Sequence, residues 1–261
     1  MTSSHETSNG RWNSQRRNGL LKIPAWLSAW AAMVFQGARN SRAQWAGVLI
    51  LAATLGAISS VLAETEGEYT YYTYNQKATI TKYDGPGWNV VIPNSINGYL
   101  VTCIGEGAFY GHHYLTSVVI PDSVTSIGDQ AFGECEGLFS VYIPDSVVRI
   151  GDGAFSGCTS LYRVLIPDSV TSLGESAFEN CKNLSTIHLP DSLTSLKPRS
   201  FAGCTSLNII RFGRNLELIG DEAFKNCSSL QVLFLPASLN ATGNDAFLGC
   251  NQLRKIYYLG G

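Results

Sequence analysis

One block of sequence restarts again and again along this chain. From Leu115 it reads Leu-Thr-Ser-Val-Val-Ile-Pro-Asp-Ser-Val-Thr-Ser-Ile-Gly-Asp-Gln-Ala-Phe-Gly-Glu-Cys-Glu-Gly, and 23 residues later it begins anew at Leu138. The opening leucine returns at Leu161, Leu184, Leu207, Leu230 and Leu253. A phenylalanine keeps the same period at Phe109, Phe132, Phe155, Phe178, Phe201, Phe224 and Phe247. A fixed period in the twenties specifies a solenoid, in which each copy forms one coil stacked on the next. At 261 residues the length alone allows two domains, and the period overrides that expectation.

Each copy can be read physically. Leu115, Val118 and Ile120 have the spacing of a short strand with one face turned inward. Pro121 ends it, Asp122-Ser123 supplies turn chemistry, and Val124 and Ile127 return inward along a second extended stretch. Gly128 is expected to permit a bend. Ala131, Phe132 and Cys135 then have the spacing of a single helical or 3-10 turn facing the core. The inward groups of one coil cannot offset roughly 1–2 kcal/mol of backbone entropy per residue, so stacking is obligatory.

The pattern Leu-x-x-Val-x-Ile-Pro-x-Ser-Val-x-x-Ile-Gly-x-x-Ala-Phe-x-x-Cys resembles the BspA-type leucine-rich repeat of bacterial surface proteins, from Ile92 to Tyr258. The lead-in Tyr83-Asp-Gly-Pro-Gly-Trp-Asn-Val-Val-Ile-Pro-Asn-Ser-Ile-Asn-Gly is also similar to that family, with a step from Pro93 to Ala108 five residues longer than that from Pro121 to Ala131. The resemblance implies a β-rich α/β repeat solenoid, a right-handed arc of about seven coils with parallel strands on one face. It also implies export, adhesion or other protein recognition, and no catalysis.

Residues 1–63 read as a disordered basic tail and export segment, 64–91 as a small N-terminal β cap, and 92–261 as the repeat array. The formal charge of −2 divides into +5 over residues 1–63 and −7 over 64–261. An acidic array argues against nucleic acid as a partner. Arg16-Arg17-Asn18-Gly19-Leu20, followed by apolar Ala25 to Phe35, has the form of a twin-arginine signal. The uncharged run Trp45 to Leu62, preceded by Arg39 and Arg42 and ending Val61-Leu62-Ala63, fits a secretory signal better, and translation from Met33 would give it ordinary length. An uncleaved anchor is the alternative, which makes the protein secreted or cell-surface, or else periplasmic or membrane-anchored. Tyr69, Tyr71, Tyr72 and Tyr74 suit an aromatic hairpin over the first coil, with sugar stacking as the competing reading.

Six cysteines, Cys135, Cys158, Cys181, Cys204, Cys227 and Cys250, share one repeat position, which His112 fills in the first coil. Metal binding lacks paired Cys-x-x-Cys spacing, and disulfides between rungs need side chains that converge rather than run parallel. The column reads instead as a small buried hydrophobe filling the same hole in every coil. Asp122, Asp145, Asp168 and Asp191 form another column, whose calcium reading supplies too few ligands per ion against ordinary turn capping. The later coils drift, with Lys197-Pro198-Arg199-Ser200 replacing Gly-x-x-Ala, Gly213 replacing the turn proline and Thr242 the inward Ile. Lys197 to Arg199 is a candidate contact point.

No catalytic set emerges from His5, His112, His113 and His188, no cofactor or metal is implied, and the chain does not read as an enzyme. Recognition is expected on the outward strand positions. The fifth-position column reads Val119, Tyr142, Leu165, His188, Arg211, Phe234, Tyr257, and the third reads Ser117, Ser140, Arg163, Thr186, Ile209, Val232, Lys255. Tyr142, Arg163, Leu165, His188, Arg211, Phe234 and Tyr257 are the candidate partner-binding residues, aromatic and cationic side chains on a rigid face. Simple cross-strand stabilisation competes with that reading. The expected partner is a protein. A glycan bound through Tyr142, Phe234 and Tyr257 is a further reading, as is self-association through coil ends, since Tyr258-Leu-Gly-Gly261 brings no C-terminal cap.

Overall fold

The computed structural model describes residues 63–259, so the expected export segment lies outside the described residues apart from Ala63. Three antiparallel strands open it: β1 (Glu64–Glu66), β2 (Tyr69–Tyr74) and β3 (Lys77–Tyr83). Asn75 and Gln76, at φ 49° and 61°, make the tight turn between β2 and β3. From β4 (Asn89–Val91) onward the chain winds as a parallel solenoid. The longer first step, 28 residues between paired Asn89 and Ser117, holds a second hairpin. In it β5 (Ser95–Ile96) turns through Asn97-Gly98 onto β6 (Tyr99–Ile104).

Two series of strands then alternate. The Leu-x-x-Val-x-Ile segments give β7 (Ser117–Val119), β9 (Ser140–Tyr142), β11 (Arg163–Leu165), β13 (Thr186–His188) and β15 (Ile209–Arg211), which with β4 make a six-stranded parallel sheet. β17 (Val232–Leu235) and β19 (Lys255–Tyr258) continue the series as a separate parallel pair. The return stretches give β8 (Ser126–Ile127), β10 (Arg149–Ile150) and β12 (Ser172–Leu173), stacked on β6, and then β14 (Ser195–Leu196), β16 (Leu218–Ile219) and β18 (Ala241–Thr242). Eight strands in the first series make about eight turns rather than seven, β4 being the additional rung.

The Ala-Phe-x-x-Cys stretches are not helical, and no helix occurs among the described residues. Gln130 and Glu134 have φ of 50° and 55°, Ser176 and Asn180 54° and 58°, and Gly153 and Gly157 60° and 72°. A left-handed residue at every fourth position breaks any helix and makes consecutive tight turns instead. The N–H groups then alternate. Ala131, Gly133 and Cys135 donate back within the coil to Gly128, Gln130 and Phe132, whereas Gln130, Phe132 and Glu134 donate to Asp152, Ala154 and Ser156 of the next coil. A helix would spend all of these donors internally and leave neighbouring coils without main-chain bonds.

Close coil stacking also explains the glycine column. Gly128 does not adopt a positive φ, so its role is not a bend. A Cβ placed there would lie 2.8 Å from the main chain of Gly105 and Glu106, and one at Gly174 would lie 2.2 Å from Gly151. Glycine is required by the approach of one backbone to another.

The interior is a set of columns. Phe109, Phe132, Phe155, Phe178, Phe201 and Phe224 are fully buried, and their rings stack at centroid separations of 5.0–5.4 Å. Tyr83, at the end of β3, stacks on Phe109 at 5.0 Å and completes the column, while Tyr71 is buried beside it. Tyr69 packs on Tyr83 at 5.1 Å, whereas Tyr74 is 66% exposed.

Two outcomes follow for stability. Phe155→Ala removes a ring stacked on both sides and is expected to cost about 3–5 kcal/mol, read as a lower denaturant midpoint. Gln130→Gly removes the left-handed penalty of an exposed side chain and is expected to gain about 0.5–1 kcal/mol, with Gln130→Val shifting the midpoint the other way.

Candidate functional site

Alternation along each short strand turns the third and fifth positions outward, and the expected residues lie on that outer face. Tyr142 and Leu165 are 58% and 55% exposed, and Phe234 and Tyr257 48% and 45%. Arg163 and Arg211 are exposed and His188 is half-buried. Register aligns them, since Tyr142 pairs with Leu165, His188 with Arg211, and Phe234 with Tyr257, whose rings stack at 5.1 Å. Five of the seven stand on the six-stranded sheet, and Phe234 and Tyr257 stand on the separate β17–β19 pair.

The face extends past the two columns read from sequence. Phe139 and Tyr162, one residue before their strands, are 58% and 51% exposed and stack at 5.9 Å with an interplanar angle of 7°. Trp88 and Tyr114 pair at 5.8 Å at the same margin. The signal was available in the column after each opening leucine, Thr116, Phe139, Tyr162, Ser185, but strict alternation does not predict that this position faces outward.

Within the sheet one ladder is opened. β9 and β11 share three paired positions, as do β13 and β15, yet β11 and β13 pair only at Arg163 and Thr186. The gap forms a shallow notch of about 300 Å³ lined by Tyr162, Arg163, Leu165, Ser185, Thr186 and His188. Burial, with the Arg211 and Arg163 guanidinium groups beyond it, holds the His188 imidazole below its usual pKa.

Several cations elsewhere on the array are paired, whereas Lys182, Arg254 and Lys255 make no ion pair among the described residues. Arg149 meets Asp129, Lys197 meets Asp152, Arg214 meets Asp191 and Lys225 meets Glu222. Arg199 bridges coils, with Glu179 on one side and Glu222 at 3.8 Å on the other, which accounts for the Lys197 to Arg199 irregularity as a clamp. Among the described residues neither Arg163 nor Arg211 makes an ion pair.

At the last member of the aspartate column, Asp191, the carboxylate links coils instead of capping its own turn: it accepts the main-chain N–H and side-chain Nε of Arg214, 23 residues on, and is held below the usual range by them. A second carboxylate column, not read from sequence, joins coils: Asp129 accepts the N–H of Asp152, and Asp152 that of Glu175.

The cysteine column is buried and its thiols are free. It is more than a filler. Each S–H donates to the carbonyl of the core phenylalanine one coil back, Cys135 to Phe109 at 3.0 Å and Cys158 to Phe132 at 3.1 Å, through Cys250 to Phe224 at 3.2 Å. In the first coil Nδ1 of His112 lies 3.1 Å from the carbonyl of Phe109. Burial pushes the Cys135 and Cys204 thiols up to about 12 and that of Cys250 to about 11, away from the thiolate that metal binding or exchange requires.

A BspA type leucine-rich repeat profile matches residues 88–197 and 148–260 in six copies. The chain belongs to the BspA-type leucine-rich repeat family. Its fold is similar to a leucine-rich cell surface protein of Faecalibacterium prausnitzii at 34% identity and TM-score 0.70, over 78% of this chain and 56% of that one. It is similar to a leucine-rich repeat protein of T. pallidum at 28% identity and TM-score 0.54, over 73% of this chain and 91% of that one. A leucine-rich repeat protein of Eubacterium ventriosum matches at 25% identity and TM-score 0.61, over 74% and 51%. The BspA-type array therefore spans a little over half the length of the F. prausnitzii relative. A comparison with curated proteins finds no match. None of these matches indicates a catalytic family.

The thiol column of this BspA-type repeat protein has a direct readout. Iodoacetamide at about pH 8 is expected to leave the six column cysteines of the folded chain unmodified and to alkylate all of them once denaturant is added, followed by intact mass. Rapid modification without denaturant would mean that the buried S–H bonds are not formed.

Proposed function

We propose that the chain is an exported, non-enzymatic interaction module that binds another protein through the outer face of its parallel strands, in adhesion or recognition at the bacterial cell surface. The observation that carries this is the composition of that face. Exposed Tyr142, Leu165, Phe234 and Tyr257 stand with Arg163 and Arg211, which make no ion pair among the described residues, on strands held in parallel ladders. Aromatic and arginine side chains on a rigid support have the make-up of binding hot spots, because little side-chain order is lost on association. Family membership and the similarity to a cell surface protein support the reading, as does the apolar Trp45 to Leu62 run for export.

Panning a random peptide library on the full chain tests it. Enriched peptides are expected to lose at least about tenfold in affinity for the Tyr142→Asp/Phe234→Asp double variant, since each change buries a charge in the contact. Peptides that bind both proteins equally would place recognition elsewhere.

A further inference from the structure

The strand face is chemically partitioned, and the partition describes its ligand. Val119, Tyr142 and Leu165 make an apolar patch on β7, β9 and β11, and Phe234 and Tyr257 make another on β17 and β19. Between them, on three successive rungs, stand Arg163, His188 and Arg211. The outward third and fifth strand positions hold no carboxylate along the whole series, although residues 64–261 carry a net −7. Glu106, Asp129, Asp152, Glu175 and Glu179 gather along the turn side, while Asp145, Asp168 and Asp191 border the face beside Leu165 and His188. An arginine with no ion-pair partner among the described residues is available to a ligand's negative charge.

We infer that this face takes a short acidic segment of a protein in extended form, its carboxylates seated against Arg163, His188 and Arg211 at the notch between β11 and β13, and its apolar side chains on the two flanking patches. This rests on the strand-face reading above and names the chemistry of its partner. Rungs lie about 4.8 Å apart, so Arg163 and Arg211 span roughly 10 Å, the reach of about three extended residues. The opened ladder supplies the depth. With β13 parted from β11 beyond Arg163 and Thr186, a carboxylate can enter the notch beside His188 instead of resting on a flat sheet. Burial and the two arginines hold the His188 imidazole below its usual pKa, and a ligand carboxylate beside it acts in the opposite direction.

Two other polyanions fit less well. A long one, such as a nucleic acid strand, meets Asp145, Asp168 and Asp191, which share a second groove with Leu165 and His188 at the C-terminal border of the strands. A short acidic run ends before that repulsion accumulates. An acidic glycan stacks on open ring faces, but Phe234 and Tyr257 cover one face of each other, as do Phe139 and Tyr162, and Val119 and Leu165 offer branched aliphatic contact suited to peptide side chains.

The test uses the full chain and a labelled dodecapeptide with three central glutamates flanked by leucine and tryptophan, read by fluorescence anisotropy against the same peptide carrying glutamines. The glutamate peptide is expected to bind about tenfold tighter, an advantage that disappears near 0.5 M salt and in the Arg163→Gln/Arg211→Gln variant. Equal binding of the two peptides, both lost in the Tyr142→Asp/Phe234→Asp variant, would overturn the acidic ligand while leaving the strand face as a protein-binding surface. Binding unaffected by either variant would overturn both readings. No binding of the glutamate peptide, or tighter binding of a sulfated oligosaccharide or a single-stranded oligonucleotide under the same conditions, would also overturn the inference.

Discussion

The structure depends on where the turn N–H groups point. In each coil alternate donors of the Ala-Phe-x-x-Cys stretch leave their own coil and bond to the carbonyls of the next, as Gln130, Phe132 and Glu134 do to Asp152, Ala154 and Ser156. That geometry sets the separation of the coils, and the separation sets the columns. Phenylalanine rings stack at 5.0–5.5 Å because the backbone holds them so. Glycine is fixed at Gly128 and Gly174 because the neighbouring main chain leaves no room for a Cβ. The thiol of Cys135 adds a second donor to the carbonyl of Phe109, which already accepts the N–H of His112 in its own turn, and so ties one coil to the next.

The period made the solenoid, the inward columns and the outward columns legible before any coordinates. A spacing that recurs at Leu115, Val118, Ile120, Val124, Ile127 and Phe132 admits one inward face, and all six are buried. The turn conformation was not legible. Ala131, Phe132 and Cys135 have helical spacing, and what decides against a helix is the left-handed backbone at Gln130 and Glu134, residues with no conformational bias of that kind. Gly153 and Gly157, Gly107 and Gly111 mark the same two positions in other coils, so the signal lay in the column and not in any single copy. The additional rung β4 was obscured by the hairpin of β5 and β6, which lengthens the first coil and breaks the period where β4 sits.

The candidate face was partly legible for the same reason. Alternation assigns Tyr142, Leu165 and Phe234 to the outside because Val141, Val164 and Leu233 between them are inside. It has nothing to say about Phe139 and Tyr162, which precede the strands, or about the opened ladder between β11 and β13, which depends on how two rungs twist relative to one another. Net charge misled in a different way. The −7 of residues 64–261 is a sum over that whole segment, and the outer strand positions, carrying Arg163, Arg211 and Lys255 without a carboxylate, depart from it in sign.

The distribution of identity across columns argues where function can be written in such a protein. The phenylalanine column holds one residue type through seven coils, and the cysteine column one type through six, because each interior member is clamped above and below by an identical neighbour. A change in one rung must be matched in two others to keep the stack. The fifth outward position is under no such constraint, and it runs Val119, Tyr142, Leu165, His188, Arg211, Phe234, Tyr257 without repeating an adjacent pair. Side chains there need only be compatible with a strand, so the column can be set by a ligand one rung at a time. A solenoid of this kind separates the residues that stack its coils from those that read a partner, and only the second set can vary without cost to the first.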